Sequence, residues 1–257
     1  VHGDWIVETD SLSKEFKGFF AVRGVSLKVR RGSIHALIGP NGAGKTTCFN
    51  LITRFLPASD GKIIYNGRDI TKLEPAEVAR LGLVRSFQIS AVFLNMTVRE
   101  NIRVALQRQL GTSFYFWRSE DSLAILDSRA AELADDVGIA DYLDTPAVAL
   151  SYGRKKALEI ATTLALDPEM LLLDEPMAGL GREDIERITQ LIEKVSEGRT
   201  VLMVEHNLKV VATLSDTITV LARGEVLAEG DYKTVSQNPQ VIEAYMGSAT
   251  PEDRAHG

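Results

Sequence analysis

Ile34-His35-Ala36-Leu37-Ile38-Gly39-Pro40-Asn41-Gly42-Ala43-Gly44-Lys45-Thr46-Thr47 decides the fold of this chain. An apolar run leads into Gly39, and a helical pattern over residues 45–55 leads out of Lys45. The nine residues from Gly39 to Thr47 fit the phosphate-loop pattern G-x-x-x-x-G-K-[ST] in its strand–loop–helix setting. The glycines let backbone N–H groups turn inward around an anion. The helix N-terminus adds unpaired N–H groups and a partial positive charge. Lys45 is placed to reach the β- and γ-phosphates of a nucleotide, and the Thr46 hydroxyl to ligate Mg²⁺.

Working outward, a second acidic element completes a reacting site. Met170-Leu171-Leu172-Leu173-Asp174-Glu175 is an apolar strand ending in two acids. Asp174 stands where Mg²⁺ needs a ligand, and Glu175 where an attacking water needs a base. Thr200-Val201-Leu202-Met203-Val204-Glu205-His206 is a further apolar strand with a polar end. His206 can hydrogen-bond the γ-phosphate or hold the water in line.

The chain has 257 residues, 45% hydrophobic and 25% charged, which is ample for a globular core. Its net charge of −6 argues against a broad nucleic-acid surface. The single cysteine, Cys48, allows no intrachain disulfide and no cysteine-based zinc cluster, and its expected role is small buried packing. No apolar run approaches the roughly 18 residues of a membrane span. Val1-His2-Gly3-Asp4-Trp5 lacks the basic start and long apolar stretch of a signal peptide. The expected location is therefore cytosolic, with any membrane attachment through a partner.

Short apolar runs at 34–38, 83–87, 170–173, 200–204 and 218–221 alternate with helical segments, which predicts a mainly parallel sheet wrapped by helices. Residues 5–9, 25–29 and 62–65, the last followed by Asn66-Gly67, predict a small antiparallel layer. Residues 97–166 show no strand pattern. Helices are predicted at 97–108 with Thr97 as N-cap, at 122–137, and from Ser151 to the Asp167-Pro168 stop. Within this insert, Phe114-Tyr115-Phe116-Trp117 is expected as a core plug, with contact to a membrane-embedded partner as the alternative. Arg154-Lys155-Lys156 is expected as a solvated charge run.

With these motifs in hand, the chain resembles an ATP-binding-cassette (ABC) ATPase over residues 5–247. Leu150-Ser151-Tyr152-Gly153-Arg154 resembles the family signature LSGGQ, between the two nucleotide motifs and at a helix start. Ser86-Phe87-Gln88 resembles the Q-loop, Ala178-Gly179-Leu180-Gly181 the D-loop, and Glu205-His206 the switch-histidine segment. Phe16 stands where the family stacks a ring on adenine, with Phe19 or Phe20 as alternatives. Arg85-Ser86-Phe87-Gln88, Asn95-Met96-Thr97-Val98-Arg99-Glu100-Asn101 and the ending Asn238-Pro239-Gln240-Val241-Ile242-Glu243-Ala244-Tyr245-Met246-Gly247 look like ATPase subunits of branched-chain amino-acid importers. Lipopolysaccharide-export ATPases are a related alternative, and a soluble ABC ATPase acting on nucleic acid or ribosomes is a more distant one.

The resemblance implies a P-loop α/β core, an antiparallel β-subdomain and a helical subdomain over about 89–166, all within 1–247; the small, polar and charged ending 248–257 is expected as a disordered tail. It implies ATP and Mg²⁺ as ligands. Phe16, Gly39, Pro40, Asn41, Gly42, Ala43, Gly44, Lys45, Thr46 and Thr47 would hold the nucleotide. Thr46, Gln88 and Asp174 would serve Mg²⁺, and Glu175, His206 and Gln88 would carry the chemistry. Ser151 and Gly153 would reach the nucleotide of a second subunit, in a homodimer or a heterodimer with a paralogue. Transmembrane permease subunits would hold the pair at the cytoplasmic face of the membrane, with an extracytoplasmic solute-binding protein as an indirect partner and no nucleic acid. Two positions depart from the pattern: Arg154 stands in place of Gln, and Gly181 in place of Asp or Asn.

Overall fold

The alternation of strand and helix patterns becomes two sheets and a helical layer in a computed structural model that describes residues 3–86, 92–109 and 120–248. The chain opens with β1 (Trp5–Phe16), β2 (Phe19–Val25) and β3 (Lys28–Arg30), then β4 (Ile34–Ile38), which feeds the phosphate loop and α1 (Lys45–Ile52). Next come β5 (Asp60–Tyr65), β6 (Arg68–Asp69), α2 (Pro75–Arg80) and β7 (Leu83–Arg85). The helical layer is α3 (Val98–Gln109), α4 (Glu120–Asp136) and α5 (Tyr152–Leu164). The core then resumes with β8 (Met170–Asp174), α6 (Arg182–Ser196), β9 (Thr200–Val204) and α7 (Leu208–Leu214). It ends with β10 (Thr217–Ala222), β11 (Glu225–Gly230), α8 (Tyr232–Ser236) and α9 (Pro239–Ser248).

The larger sheet has the order β11-β10-β4-β9-β8-β7, parallel except for β11. Its central strands are buried on both faces, as a covered parallel sheet requires. Leu171 and Leu173 enter one core with Val201 and Met203, while Met170 and Leu172 enter the other with Leu202 and Val204. The first core lies against α3–α7 and the second against α1, α2 and the small sheet. Cys48 is fully buried in the second core, as its small size and apolar neighbours favour. Burial pushes its thiol up to about 12.

The small sheet is built around β1, which pairs antiparallel with β2, β3 and β5. Here the structure corrects the sequence reading. The expected strand at 25–29 is two strands, because Val25 ends β2 and β3 begins at Lys28. The expected strand at 5–9 runs on to Phe16, with register shifts that let one strand change partners along its length. Asn66 and Gly67 both take positive φ, at 50° and 74°, and close the β5–β6 hairpin as Asn-Gly predicts. Helix α1 stops at Ile52 rather than Phe55, because Arg54 turns left-handed at φ 64°.

Within the helical layer the sequence signals hold. Thr97 and Glu100 form a reciprocal cap on α3, at 2.7 and 3.2 Å. Helix α9 continues through Gly247 to Ser248, where a tail was expected. Phe87, Gln88 and the aromatic run at 114–117 lie outside the described residues. Among the described residues, no helix is long and apolar enough to cross a membrane.

Candidate functional site

Register across the parallel sheet brings the phosphate loop, Asp174, Glu175 and His206 to one edge. Leu37 of β4 lies beside Val204 of β9, and Val204 beside Asp174 of β8. The phosphate loop, Glu175 and Glu205-His206 therefore leave the sheet side by side, at the carboxyl ends of its strands, where open α/β sheets bind ligands.

Two loop glycines are required by close backbone approach. A Cβ on Gly39 would sit 2.1 Å from the Leu221 carbonyl oxygen, and one on Gly44 would sit 2.4 Å from that of Ala21. Gly44 is also left-handed, at φ 98°, and it opens α1 with no side-chain cap. The first-turn N–H groups of α1 thus have no capping side chain and face the loop as anion donors. Lys45 is buried and bends back over the loop, where its Nζ donates to the carbonyls of Gly39 at 2.7 Å and Pro40 at 3.1 Å. Burial lowers its pKa, and the charges of Glu175 and Asp174 oppose that shift. A cation held among carbonyl oxygens gains when phosphate oxygens replace them, so the cradle fits a polyphosphate.

Asp174 is nearly buried and paired with Arg85, whose guanidinium also donates to the Asn50 side chain of α1. Thr46 is exposed at the start of α1. One carboxylate and one hydroxyl are a donor set suited to Mg²⁺, which keeps water and phosphate oxygens as its other ligands. Among the described residues, no cluster of three acidic, His or Cys side chains offers a full protein cage.

Glu175 takes φ 47°, a left-handed conformation costly for a non-glycine residue, with its N–H held by the Val204 carbonyl at 2.9 Å. This turn lifts the acid off the end of β8. His206 is exposed beside it, past the end of β9. Between them lies a group whose role sequence reading missed. Glu205 is fully buried, and its carboxylate accepts from three backbone N–H groups: Met177 at 3.0 Å, His206 at 2.7 Å and Asn207 at 2.8 Å. It ties the segment after Glu175 to the segment bearing His206. A buried acid directly after an apolar strand was the available signal.

The aromatics expected to stack on adenine differ in setting. Phe16 and Phe19 face each other across β1–β2 and are exposed, with the Lys14 ammonium 5.2 Å from the Phe16 ring. Phe20 is covered by the Arg23 guanidinium at 4.7 Å. A Cβ on Gly44 would also meet the Val22 side chain of the same hairpin, at 3.4 Å, so the aromatics stand next to the loop.

The signature residues gather elsewhere, at the start of α5. Ser151 caps the helix, accepting from the Arg154 N–H at 3.4 Å. A Cβ on Gly153 would fall 2.4 Å from the Asp184 carboxylate, and one on Gly179 would fall 3.3 Å from the Tyr152 hydroxyl. Arg154 lies over the Tyr142 ring at 4.2 Å. The expected solvated run 154–156 is corrected: Arg154 is half-buried and stacked, Lys155 donates to the Val148 carbonyl, and Lys156 is buried. Gly181, the second departure, opens α6 with open space around it.

A cleft of about 610 Å³ opens on the outer side of the loop, between residues 40–43, the β10–β11 turn and α9. The Tyr245 hydroxyl of α9 meets the Gly39 backbone.

Comparison with known proteins agrees with this fold. The family model described as "ABC transporter" matches residues 22–178, and a "Branched-chain amino acid ATP-binding cassette transporter" model matches residues 225–250. The chain is 39% identical over 254 residues to the high-affinity branched-chain amino acid transport ATP-binding protein BraF of Pseudomonas aeruginosa, covering 95% of this chain and 98% of that one. It is 37% identical over 255 residues to a probable branched-chain amino acid transport ATP-binding protein, LivG, of Archaeoglobus fulgidus, covering 96% and 97%. Among solved structures, a nucleotide-free ATP-binding cassette from an ABC transporter superposes with a TM-score of 0.82 at 32% identity, over 94% of this chain and 98% of that one. A structure of the ADP conformation of an ATP-binding cassette of an ABC transporter gives 0.83 at 33%, over 95% and 99%. From the phosphate loop to the signature helix, the chain belongs to the ABC transporter family of ATP-binding cassettes.

Proposed function

We propose that the chain is the ATP-hydrolysing subunit of an importer that takes up branched-chain amino acids. The observation that carries this reading is the single sheet edge on which the loop, Asp174, Glu175 and His206 emerge together. The match of residues 225–250 to the branched-chain model and the likeness to BraF and LivG support the solute class.

The reaction is ATP + H₂O → ADP + phosphate. Lys45 and the N–H groups of the loop and α1 hold the phosphates, with Phe16 against adenine. Thr46 and Asp174, with Gln88 as a further ligand, would hold Mg²⁺, which would supply charge neutralisation for the phosphates. Glu175 takes the proton of the attacking water, and His206 donates to the γ-phosphate. Phosphoryl transfer asks mainly for positioning and charge, which this set supplies. Ser151 and Gly153, on a helix N-terminus turned toward Asp184, are left for the nucleotide of a second subunit, a copy of this chain or a paralogue. Permease subunits hold the pair at the inner face of the membrane, with a solute-binding protein on the other side.

Glu175→Gln keeps the shape and loses the base. Its turnover is expected to fall by at least about 100-fold, within the usual range for a general base. An ATP-bound dimer should accumulate in size-exclusion chromatography. Turnover equal to the parent's removes Glu175 from this role. In proteoliposomes carrying permease subunits, binding protein and labelled leucine, ATP-dependent uptake is expected, and its absence overturns the solute assignment.

A further inference from the structure

Helix α5 buries an ion pair where its neighbours are apolar. Lys156 is 5% exposed and Glu159 3%, amid buried Ala157, Leu158, Ile160 and Ala161. Lys156 Nζ donates to Glu159 Oε2 at 3.2 Å. Such a pair gains little over well-packed apolar side chains, because desolvation offsets its attraction. What it provides is direction. The Glu159 carboxylate also accepts from the hydroxyl of Ser86, itself 6% exposed. The Ser86 N–H is fixed to the Leu172 carbonyl of β8 at 2.9 Å. The preceding residue, Arg85, grips Asp174 and Asn50. One dipeptide, Arg85-Ser86, therefore holds Asp174 by its guanidinium and α5 by its hydroxyl. Burial raises the Glu159 pKa, against the pull of Lys156 and Ser86.

We propose that Glu159, oriented by Lys156 and bound to Ser86, is a positioning residue for ATP hydrolysis that locks the signature helix α5 to the strand edge bearing Asp174. Turning or sliding α5 by part of a turn would draw Glu159 off Ser86 inside the core, while Lys156, three residues before it on the same helix, would move with it. Such interfaces are bistable rather than elastic. The lock sets where Ser151 and Gly153 stand relative to Asp174 of the same chain. The inference rests on the hydrolytic reading above.

The test replaces the pair by an apolar one of similar size, Lys156→Met with Glu159→Met. This double variant is expected to keep the parent's melting temperature within a few degrees and its affinity for a fluorescent ATP analogue. Its kcat is expected to fall at least tenfold with KM unchanged. Ser86→Ala should repeat the loss, and Ser86→Thr, which keeps the hydroxyl, should restore turnover. A double variant with parental kcat overturns the proposal. If that variant does not fold, parental kcat in Ser86→Ala overturns it instead. Glu175→Gln run alongside separates the two readings. If Glu175→Gln is as active as the parent, the hydrolytic assignment fails. If it is inactive while the Met pair turns over normally, only the lock fails.

Discussion

His35 sits on β4, four residues before the phosphate loop, with 1% of its surface exposed. Its Nε2 lies 2.8 Å from the Thr219 hydroxyl oxygen, and that hydroxyl donates to Glu229 at 2.6 Å. Thr219 has one proton to give, so its oxygen accepts from His35 Nε2–H. Burial pushes the imidazole down to about 4 from 6.5. The unfolded chain therefore binds this proton first, and stability is complete above about pH 6.5 and lost as pH falls toward 4. Between pH 7 and pH 5 the loss is about 2 kcal/mol from this residue. Urea unfolding at the two pH values should show it, and His35→Leu should flatten the difference by that amount. A variant with the parent's full pH dependence would place the effect elsewhere. At this scale, legibility followed locality. The places of Lys45, Asp174 and Glu175 at a helix start and a strand end were readable because their neighbours in sequence mark those ends. Arg85, Glu159 and Glu205 were not, because their partners lie on other elements and only register brings them together.

At the scale of the element, α3 shows how a helix end can be held from within. Asn101 is 2% exposed, and its Nδ2 donates to the carbonyls of Phe93 at 3.1 Å, Met96 at 3.3 Å and Thr97 at 2.9 Å. Its Oδ1 accepts from the Phe93 N–H at 2.8 Å. One amide stitches the entering chain to the first turn. Asn101→Ala would strand these backbone groups and cost about 3 kcal/mol. A thermal melt should record a midpoint lower by roughly 6–12 °C, and a shift under about 2 °C would mean that water replaces the amide. Helix starts at Thr97 and Ser151 were legible because caps are written in adjacent residues. The division of 25–29 into two strands was not, since β1 supplies both partners and changes between them along its length.

For the whole molecule, the phosphate loop is also the joint between the two sheets. The Ala43 carbonyl accepts from the Gly224 N–H at 3.0 Å, and the Gly224 carbonyl accepts from the Arg23 N–H at 2.8 Å. Gly44 presses on Ala21, so a side chain there would push β2 off the loop. Gly44→Ala is thus expected to weaken nucleotide binding and the fold together, by at least a few kcal/mol given its left-handed backbone. Titration with a fluorescent ATP analogue and a melt of the same sample should fall in step. Loss of binding with an unchanged melt would separate the joint from the site.

Cys48, buried just behind that joint, makes the molecule its own blank for chemical labelling. It is the chain's one cysteine, and in the folded state its thiol is neither accessible nor ionised near neutral pH. A thiol placed at the Ser151 end of α5 would take a spin label or dye alone, with no need to remove the native one. Under denaturant the same buried sulfur becomes a clock, since its capture by a thiol reagent times the opening of α1.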